Sequence, residues 1–239
     1  MKFSIIIPCY NEEKNLSILI SNILELQKKY DLEYILVENG SKDNSKEYFK
    51  QNVEGKYQNL KVVYVEKNQG YGYGVCQGLK AASGKYIGWI HADMQVPPQT
   101  LCEFFDYINN YKGDKKLFLK GLRKNRSLMD YFFTYGQSIF NSALFSKILF
   151  DIGAIPVLFE KSLITNFDLV PNDFSMELYF YNEAKKQNFL CKRFKVILLN
   201  RKKGASSWNT GFRSKIKQSI RIFKDSVKIK RGEKVLWVY

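Results

Sequence analysis

The sequence predicts an α/β fold with a mostly parallel, doubly wound sheet, and three observations support this prediction. Short apolar runs of strand length recur along the chain, most of them precede a segment with helical periodicity, and polar residues cluster where the runs end. Strands that alternate with helices are typical of parallel sheets with helices on both faces. The 239 residues, 45% of them hydrophobic, are enough for one globular domain and exclude a disordered chain.

Six apolar runs are predicted to be strands. They are Phe3 to Ile7, Tyr34 to Val37, Lys61 to Val65, Tyr86 to Ile90, Leu117 to Leu119 and Phe194 to Leu199. After the first run, apolar residues recur with helical spacing from Leu16 to Leu24, and Glu12 and Glu13 stand where the helix dipole favours anions. Ligands of such sheets bind beyond the carboxyl ends of the strands, so the residues that follow each strand are the candidate site.

Cysteine usage and the lack of a long apolar run indicate a protein kept inside the cell. The four cysteines are far apart in the sequence and form no Cys-x-x-Cys pair, which excludes a disulfide framework and a structural zinc site of that type. No run approaches the ~18 apolar residues of a spanning helix, and the N-terminal run ends at Pro8, too early for a signal peptide. We therefore expect reduced thiols and a cytoplasmic location.

The net charge of +15 is concentrated near the C-terminus, where residues 192–239 carry 15 basic and 2 acidic side chains. Within this tail, Ile216, Ile220, Phe223 and Val227 have the spacing of one apolar helical stripe, and lysines and arginines occupy the other faces. Three interpretations remain: a surface helix docked on the domain, an interfacial helix on anionic lipid, and a nucleic-acid contact. No nucleic-acid-binding motif accompanies the charge, so we expect no nucleic-acid partner.

Two polar loops follow the first two predicted strands. Pro8, Tyr10 and Glu12 follow the first strand, and Asn39 follows the second, with Asp43 as a predicted helix cap. A nucleoside requires hydrogen bonds to its base edge and a surface for its face, which Asn39 and Tyr10 can supply. The alternative for each loop is an ordinary strand-to-helix connection.

A glycine-rich segment follows the third strand. Gly70, Gly72 and Gly74 alternate with tyrosines, and Gly78 and Gly84 follow. This spacing matches neither the dinucleotide-binding fingerprint nor the P-loop. The pattern therefore predicts a close approach of backbone or helix to another part of the chain.

The fourth strand leads into a candidate metal site at His91, Asp93 and Gln95. On an extended segment these three positions point the same way, which would bring an imidazole, a carboxylate and an amide oxygen together. Nitrogen and oxygen donors of this kind suit Mn²⁺, and suit Mg²⁺ less well. The alternative is a lone histidine hydrogen-bonded at a strand end.

In their order along the chain, these motifs resemble the family 2 glycosyltransferases of GT-A (Rossmann-like) fold, closest to the dolichyl- and polyprenyl-phosphate sugar synthases. The resemblance extends to about Trp208, which predicts a GT-A domain at residues 1–210 and a basic amphipathic C-terminal helix within 211–239. The later motifs that match are Lys120-Gly121-Leu122-Arg123, Ser138-x-x-Asn141, Asp151 with Phe159, residues 174–178 with Glu177, and Arg201-x-x-Gly204-x-Ser206.

The resemblance implies a role for each matching residue. Residues that would hold the nucleotide sugar are Pro8, Tyr10, Glu12, Val37, Asn39, Ala92, Asp93, Arg123 and Arg201. Asp93 and Gln95, with His91 at the first position of the motif, would bind the divalent cation, Mn²⁺ or Mg²⁺, that bridges the donor diphosphate. The family usually has aspartate at the positions of Asn39 and His91, and these departures affect base recognition and the charge of the metal site.

The implied function is an inverting transfer of a sugar from a nucleotide diphosphate to a polyprenyl-phosphate or glycan acceptor, in cell-surface polysaccharide or glycoconjugate synthesis. A phosphate acceptor is already an anionic nucleophile at neutral pH, whereas a sugar hydroxyl requires a base. Asp151 is the first candidate for that base and Glu177 the second, and Asp151→Asn is expected to abolish transfer while sparing nucleotide binding. The alternative function is a non-catalytic module that binds a nucleotide sugar or a protein partner.

The basic tail adds a predicted contact with the inner face of a membrane. An amphipathic helix with Lys and Arg at headgroup level suits an enzyme that reaches a lipid-linked acceptor. This hypothesis predicts salt-sensitive binding to anionic vesicles that is lost when residues after Thr210 are removed.

Overall fold

A computed structural model describes residues 1–199 and 212–235, which form a sheet flanked by helices. The strands are β1 Phe3–Cys9, β2 Leu32–Asn39, β3 Leu60–Val65, β4 Tyr86–Trp89, β5 Leu117–Lys124, β6 Val157–Glu160 and β7 Leu190–Ile197. The helices are α1 Glu13–Gln27, α2 Ser45–Asn52, α3 Tyr71–Ala81, α4 Cys102–Asn110, α5 Leu128–Phe145, α6 Met176–Lys186 and α7 Phe212–Arg231. In the part of the chain that the structure describes, no helix has the length and apolar character needed to cross a membrane.

The seven strands lie in the order β3-β2-β1-β4-β6-β5-β7. β6 runs antiparallel to its neighbours β4 and β5, and every other pair in the sheet is parallel. The predicted mostly parallel sheet is therefore confirmed. β6, whose four residues follow Pro156, was not among the predicted strands.

The core has one layer on each face of the sheet because side chains of a strand alternate. Ile5 and Ile7 of β1 pack in the layer beneath α1, α2 and α4, while Ile6 packs in the layer beneath α3 and α6. Each fully buried isoleucine contributes roughly 1.5–3 kcal/mol to folding. The two layers fix the strands in register and so fix the sheet edge where the strand-end loops meet.

The C-terminal helix docks on the domain through a face that includes only part of the predicted apolar stripe. The ring of Phe223 packs against Phe140 of α5 with centroids 4.6 Å apart, but Ile220 of the predicted stripe is 51% exposed. The buried side consists of Asp225, Ser226 and Ile229. Apolar spacing alone did not identify this side, because two of these buried residues are polar. The predicted domain boundary at 210 and the side chain of Ile216 lie outside the described residues.

Candidate active site

The carboxyl ends of four parallel strands meet at one edge of the sheet. Cys9 at the end of β1 pairs with Glu38 of β2, and Asn39 pairs with Val65 at the end of β3. On the other side of β1, the end of β4 pairs through Trp89 with Ile6. The loops that carry the predicted nucleotide-binding residues are therefore neighbours in space.

Hydrogen bonds tie the loop after β1 to the loop after β2. The N–H groups of Asn11 and Glu12 donate to Ser41 Oγ and Ser45 Oγ, each at 3.1 Å. The Asp43 carboxylate accepts from the N–H of Glu13 at 3.1 Å and from that of Ser45 at 3.0 Å. Asp43 thus caps the start of both α1 and α2, which extends the predicted capping role and holds the two loops as one rigid unit.

The structure brings most of the predicted nucleotide ligands to this rigid edge. Pro8, Tyr10 and Glu12 are partly exposed there. Asn39 lies beside them, and its Nδ2 donates to the carbonyl of Gly70 at 3.1 Å. Val37 differs, because its side chain is fully buried in the core beneath α3 and packs against the backbone of that helix. The side chain of Val37 is therefore a packing group, and a contact of Val37 with a nucleotide through its backbone stays a prediction.

The glycine-rich segment permits close packing, as its composition predicted. A Cβ on Gly72 would lie 2.6 Å from the backbone of Asn172 and Asp173, and one on Gly78 would lie 2.4 Å from Ile6. The N–H of Tyr73 donates to the Asn172 carbonyl at 3.0 Å. The glycines thus hold the start of α3 against the 172–173 turn, which precedes α6 and Glu177.

Gly72→Ala is expected to lower the free energy of unfolding by about 1–3 kcal/mol, because the added methyl group meets backbone atoms that cannot rotate away. Urea denaturation measures this change. The matched control is Gly136→Ala in helix α5, where no atom lies within 4 Å of the new Cβ. That control is expected to be neutral or stabilising by up to about 1 kcal/mol. Equal stability of the Gly72 variant and the wild type would contradict the packing role.

The segment after β4 is a turn and not the extended strand that the metal-site prediction assumed. β4 ends at Trp89, the chain turns at Ala92 and Asp93, and Met94 has a φ of 60°. The Asp93 carboxylate accepts from the N–H of Gln95 at 3.1 Å, which closes the turn. Residues 91, 93 and 95 therefore do not share one face by strand alternation.

The side chains of His91 and Gln95 lie in different environments. The His91 ring packs T-shaped against Tyr71 with centroids 5.0 Å apart. Gln95 Nε2 donates to the Leu199 carbonyl at 3.4 Å, and the Leu199 N–H donates to the Gln95 carbonyl at 2.9 Å. Gln95 is thus anchored to the segment after β7.

Asp93 and Gln95 carry oxygen atoms that could take part in a cation site shared with a substrate. Within residues 1–199 and 212–235, no group of three or more His, Cys, Asp and Glu side chains could hold a metal ion by itself. Mg²⁺ and similar cations at nucleotide sites often bind one or two carboxylates together with substrate phosphates and water. One carboxylate and one amide oxygen fit that arrangement, whereas His91 packs on an aromatic ring.

Asp151, the first candidate base, is enclosed by two arginines. Its carboxylate accepts from the N–H and the Nε of Arg123, both at 2.8 Å, and from Arg123 Nη2. Arg193 Nη2 lies 3.8 Å from the second carboxylate oxygen. Burial favours a higher pKa for Asp151, but the charge and hydrogen bonds of Arg123 outweigh it and lower the pKa. A carboxylate with a lowered pKa is a weak proton acceptor.

Sequence reasoning missed the residues that support Asp151. Arg193 of β7 donates to the Gly121 carbonyl through Nε at 3.0 Å and Nη2 at 2.6 Å. The Asp151 N–H donates to Ser138 Oγ of α5 at 3.1 Å. The sequence gave no signal for Arg193, which directly precedes the predicted strand that begins at Phe194. For Ser138 the signal was its match to the family motif, which did not predict the contact with Asp151.

Asp151, Arg123 and Arg193 form the arginine cluster. Glu177, the second candidate base, is buried near this cluster together with Lys120. Burial raises the pKa of Glu177 to about 7. Burial, with the nearby charge of Arg193, lowers the pKa of Lys120 to about 7. Lys120 Nζ donates to the Ala154 carbonyl at 2.6 Å and so holds the loop that follows Asp151. Only 3% of Glu177 is exposed, so its carboxyl group has little contact with solvent.

The arginine cluster and the β4 turn flank the same strand. β6 begins at Val157, which pairs with Trp89 of β4 on one side and with Lys120 of β5 on the other. The strand that follows the Asp151 loop, β6, therefore lies between β5, which carries Arg123, and β4, which leads into the turn that contains Asp93. Arg201, the other predicted phosphate ligand, lies outside the described residues.

Two curated relatives are similar to part of this chain. A dolichol-phosphate mannosyltransferase of Pyrococcus furiosus is 36% identical over 110 residues, which are 46% of this chain and 31% of the relative. An undecaprenyl-phosphate 4-deoxy-4-formamido-L-arabinose transferase of Photorhabdus laumondii is 33% identical over 102 residues, or 42% of this chain and 31% of the relative. The match thus spans about a third of the length of these relatives.

The fold is similar to a solved structure over nearly the whole chain. Glucosyl-3-phosphoglycerate synthase of Mycobacterium tuberculosis, in complex with Mn²⁺, UDP and glucosyl-3-phosphoglycerate, superposes with a TM-score of 0.70. The sequence identity is 15%, and the similarity covers 97% of this chain and 80% of the other. At this identity the similarity concerns the fold, and it confirms the predicted GT-A architecture.

The sequence model of the family described as glycosyl transferase family 2 matches residues 4–160. These residues include every strand from β1 to β6 and most of the sheet edge described above. Because the match spans more than half of the chain, and the fold agrees with it, this chain belongs to glycosyl transferase family 2.

Proposed function

We propose that this chain transfers a sugar from a nucleotide diphosphate donor to a polyprenyl phosphate. The choice of acceptor rests on the surroundings of the two candidate bases, Asp151 and Glu177. Asp151 is bound by Arg123, and Glu177 is buried, so neither is well placed to deprotonate a sugar hydroxyl. A phosphate monoester has a second pKa of about 6 and attacks as an anion without a base. The names of the two curated relatives, which refer to dolichol phosphate and undecaprenyl phosphate, support this acceptor class.

The donor is proposed to bind across the ends of β1, β2 and β4. Tyr10 would offer its ring and Asn39 its amide to the base, while Pro8 and Glu12 shape the pocket for base and ribose. Ala92 and Asp93 would then lie under the diphosphate. The hydrogen bonds between the β1 and β2 loops preorganise this half of the site, which reduces the entropy lost on binding.

Asp93 and Gln95 are proposed to hold a divalent cation, Mn²⁺ or Mg²⁺, between the protein and the donor diphosphate. The Mn²⁺ and UDP in the structure of the Mycobacterium tuberculosis synthase support this proposal. When bound, such a cation neutralises charge that develops on the leaving diphosphate. His91 is proposed to shape the turn through its contact with Tyr71.

The proposed reaction is an in-line displacement that inverts the anomeric carbon. An oxygen of the acceptor phosphate forms a bond to that carbon while the bond to the donor diphosphate breaks. The electron pair leaves with the nucleoside diphosphate. Arg123, held by Asp151, is proposed to bind a phosphate, and Arg201 is proposed to add a second positive charge. Stabilising the leaving diphosphate is the main catalytic task, because no proton has to be removed.

A specific observation supports a second candidate function. His91 stands where the family usually has a metal-binding carboxylate, and its ring packs on Tyr71. A non-catalytic descendant that binds a nucleotide sugar or a protein partner would tolerate this change. Such a module would bind a nucleotide, or none, without transferring sugar.

Calorimetric titration with UDP, GDP, CDP and dTDP, each with and without Mn²⁺, separates these functions. We expect one nucleotide to bind, with affinity falling at least about tenfold, or 1.4 kcal/mol, when Mn²⁺ is omitted. Transfer of labelled sugar from the matching donor to a short-chain polyprenyl phosphate then tests the reaction.

The possible results of this titration lead to different conclusions. Metal-dependent binding followed by transfer supports the enzyme. Nucleotide binding without transfer to a phosphate or a glycan acceptor supports the non-catalytic alternative. No binding of any nucleotide contradicts the donor site. Transfer to a glycan hydroxyl and not to a polyprenyl phosphate contradicts the acceptor proposal alone.

The proposed acceptor requires contact with a membrane. We propose a peripheral enzyme at the inner, cytoplasmic face, where it would serve cell-surface polysaccharide or glycoconjugate synthesis. The net charge of +15 supports attraction to an anionic surface. The GT-A domain is proposed to extend to about residue 210, with the basic segment 211–239 packed on it.

A further inference from the structure

Helix α5 has an exposed face without polar side chains apart from one tyrosine hydroxyl. Seven positions of this helix are exposed to solvent, and they carry Leu128, Met129, Phe132, Tyr135, Gly136, Ile139 and Ala143. The exposed fractions of Leu128, Phe132 and Ile139 are 89%, 72% and 69%. The row is about 22 Å long at 1.5 Å per residue. Surface helices of globular proteins normally present charged and polar residues on this side.

The inward face of α5 is the more polar one. Thr134, Ser138 and Asn141 are buried, and only Phe145 adds a buried apolar side chain. Ser138 accepts from the Asp151 N–H, so this polar face supports the arginine cluster. A helix with polar groups inward and apolar groups outward requires an apolar environment on its outer side.

Basic side chains flank both ends of the exposed row. Lys124 and Arg126 precede the helix, and Arg126 Nη1 donates to Thr134 Oγ1 in its second turn. Lys147 follows the helix, and Lys230 of α7 lies 5.8 Å from the centre of the Phe145 ring. Between residues 124 and 148 the sole acidic residue is Asp130. An apolar row between cations is complementary to the interfacial region of an anionic bilayer, whereas two copies of this face would repel each other.

We propose that the exposed row of α5 inserts into the interface of an anionic lipid bilayer, with α7 docked behind it. The helix would lie in the plane of the membrane, with Leu128, Phe132 and Ile139 among the acyl chains and the flanking cations at the headgroups. Its polar face holds the Asp151 turn, so insertion would bring Arg123 to the level of lipid phosphates. This link to the acceptor rests on the proposed function, whereas lipid binding itself needs neither donor nor acceptor.

Vesicle flotation of the full chain tests this inference with phosphatidylglycerol–phosphatidylcholine vesicles that contain no polyprenyl phosphate. The double variant Phe132→Ser/Ile139→Ser is expected to reduce the bound fraction at least about tenfold, because two inserted side chains lose their apolar surface. Binding of the wild type is expected to weaken in high salt and on neutral vesicles. Leu128→Ser, a single change at the most exposed position, is a second variant with little risk to folding.

Two matched variants remove exposed apolar groups elsewhere. Ile220→Ser changes the exposed residue of the predicted α7 stripe, and Leu169→Ser changes an exposed residue of a loop. Both are expected to float like the wild type. Equal loss of binding in the Ile220 variant, or wild-type binding by both α5 variants, would overturn the proposal.

Light scattering and nucleotide titration complete the test. A wild type that dimerises without binding vesicles, and becomes monomeric in the Phe132/Ile139 variant, would show that the face joins two copies and would overturn the proposal. Nucleotide titration of the same variants distinguishes a failure of the lipid-binding inference from a failure of the proposed function. Vesicle binding that depends on Phe132, in a protein that binds no nucleotide, supports the inference and contradicts the proposed function.

Discussion

Replacing Asp93 by asparagine is expected to lower the rate of sugar transfer by about 10²–10³-fold, the cost typical of removing one group that stabilises charge in a transition state. The variant keeps the fold, because an asparagine oxygen can still accept from the Gln95 N–H and close the turn after β4. It loses the single carboxylate of the proposed cation site. Calorimetry should therefore show nucleotide binding that no longer responds to Mn²⁺.

Asp114→Asn is the matched control for this change, because Asp114 is an exposed carboxylate far along the chain from the strand-end loops. It is expected to transfer sugar at the wild-type rate. Gln95→Ala should weaken the response to Mn²⁺ as well, since it removes the second oxygen donor. Full activity and an unchanged Mn²⁺ response in the Asp93 variant would refute the cation site.

Asp151→Asn is expected to cost about 3–5 kcal/mol of unfolding free energy, because it leaves the half-buried Arg123 and Arg193 without their counter-charge. Asparagine tolerates the left-handed backbone that Asp151 adopts at a φ of 46°, so the change isolates the charge. Urea denaturation measures the loss. Transfer should fall too, through misplacement of Arg123.

The pH dependence of this variant follows from the lowered pKa of Asp151. The folded protein binds a proton at this carboxyl less readily than the unfolded chain does, so the ion pair contributes stability above the unfolded pKa. That contribution is lost as the pH falls through the lowered pKa of the folded state. The stability gap between wild type and Asp151→Asn should therefore be full at neutral pH and shrink as the pH falls below the usual pKa of an aspartate.

A double-variant cycle distinguishes a positioning role for Asp151 from its originally predicted role as a base. If Asp151 acts through Arg123, adding Asp151→Asn to Arg123→Ala should reduce transfer little further, because the two changes remove one interaction. A general base would leave the stability of Asp151→Asn unchanged and would make the two losses of activity additive. That second pattern would identify Asp151 as the proton acceptor.

The candidate site shows which of its features could be predicted from the sequence. The order of motifs placed Tyr10, Glu12, Asn39 and Asp93 at one sheet edge, because parallel strands bring their carboxyl ends together whatever the details of packing. The spacing of residues 91 to 95 gave a wrong local geometry, since strand alternation stops where the chain turns at Ala92. The glycine-rich segment was correctly interpreted as a close approach. The surface that it approaches, the 172–173 turn, is about 100 residues away in sequence.

The sequence by itself determined the alternation of strands and helices, the family and the position of the strand-end loops, because these depend on local patterns of apolar, polar and glycine residues. Only the tertiary structure decided what the candidate side chains do. It pairs Asp151 with Arg123 and Arg193, buries Glu177 beside Lys120, and turns the apolar row of α5 outward. Hydrogen bonding, pKa and exposure depend on residues brought together from distant parts of the chain, and no local pattern contains that information.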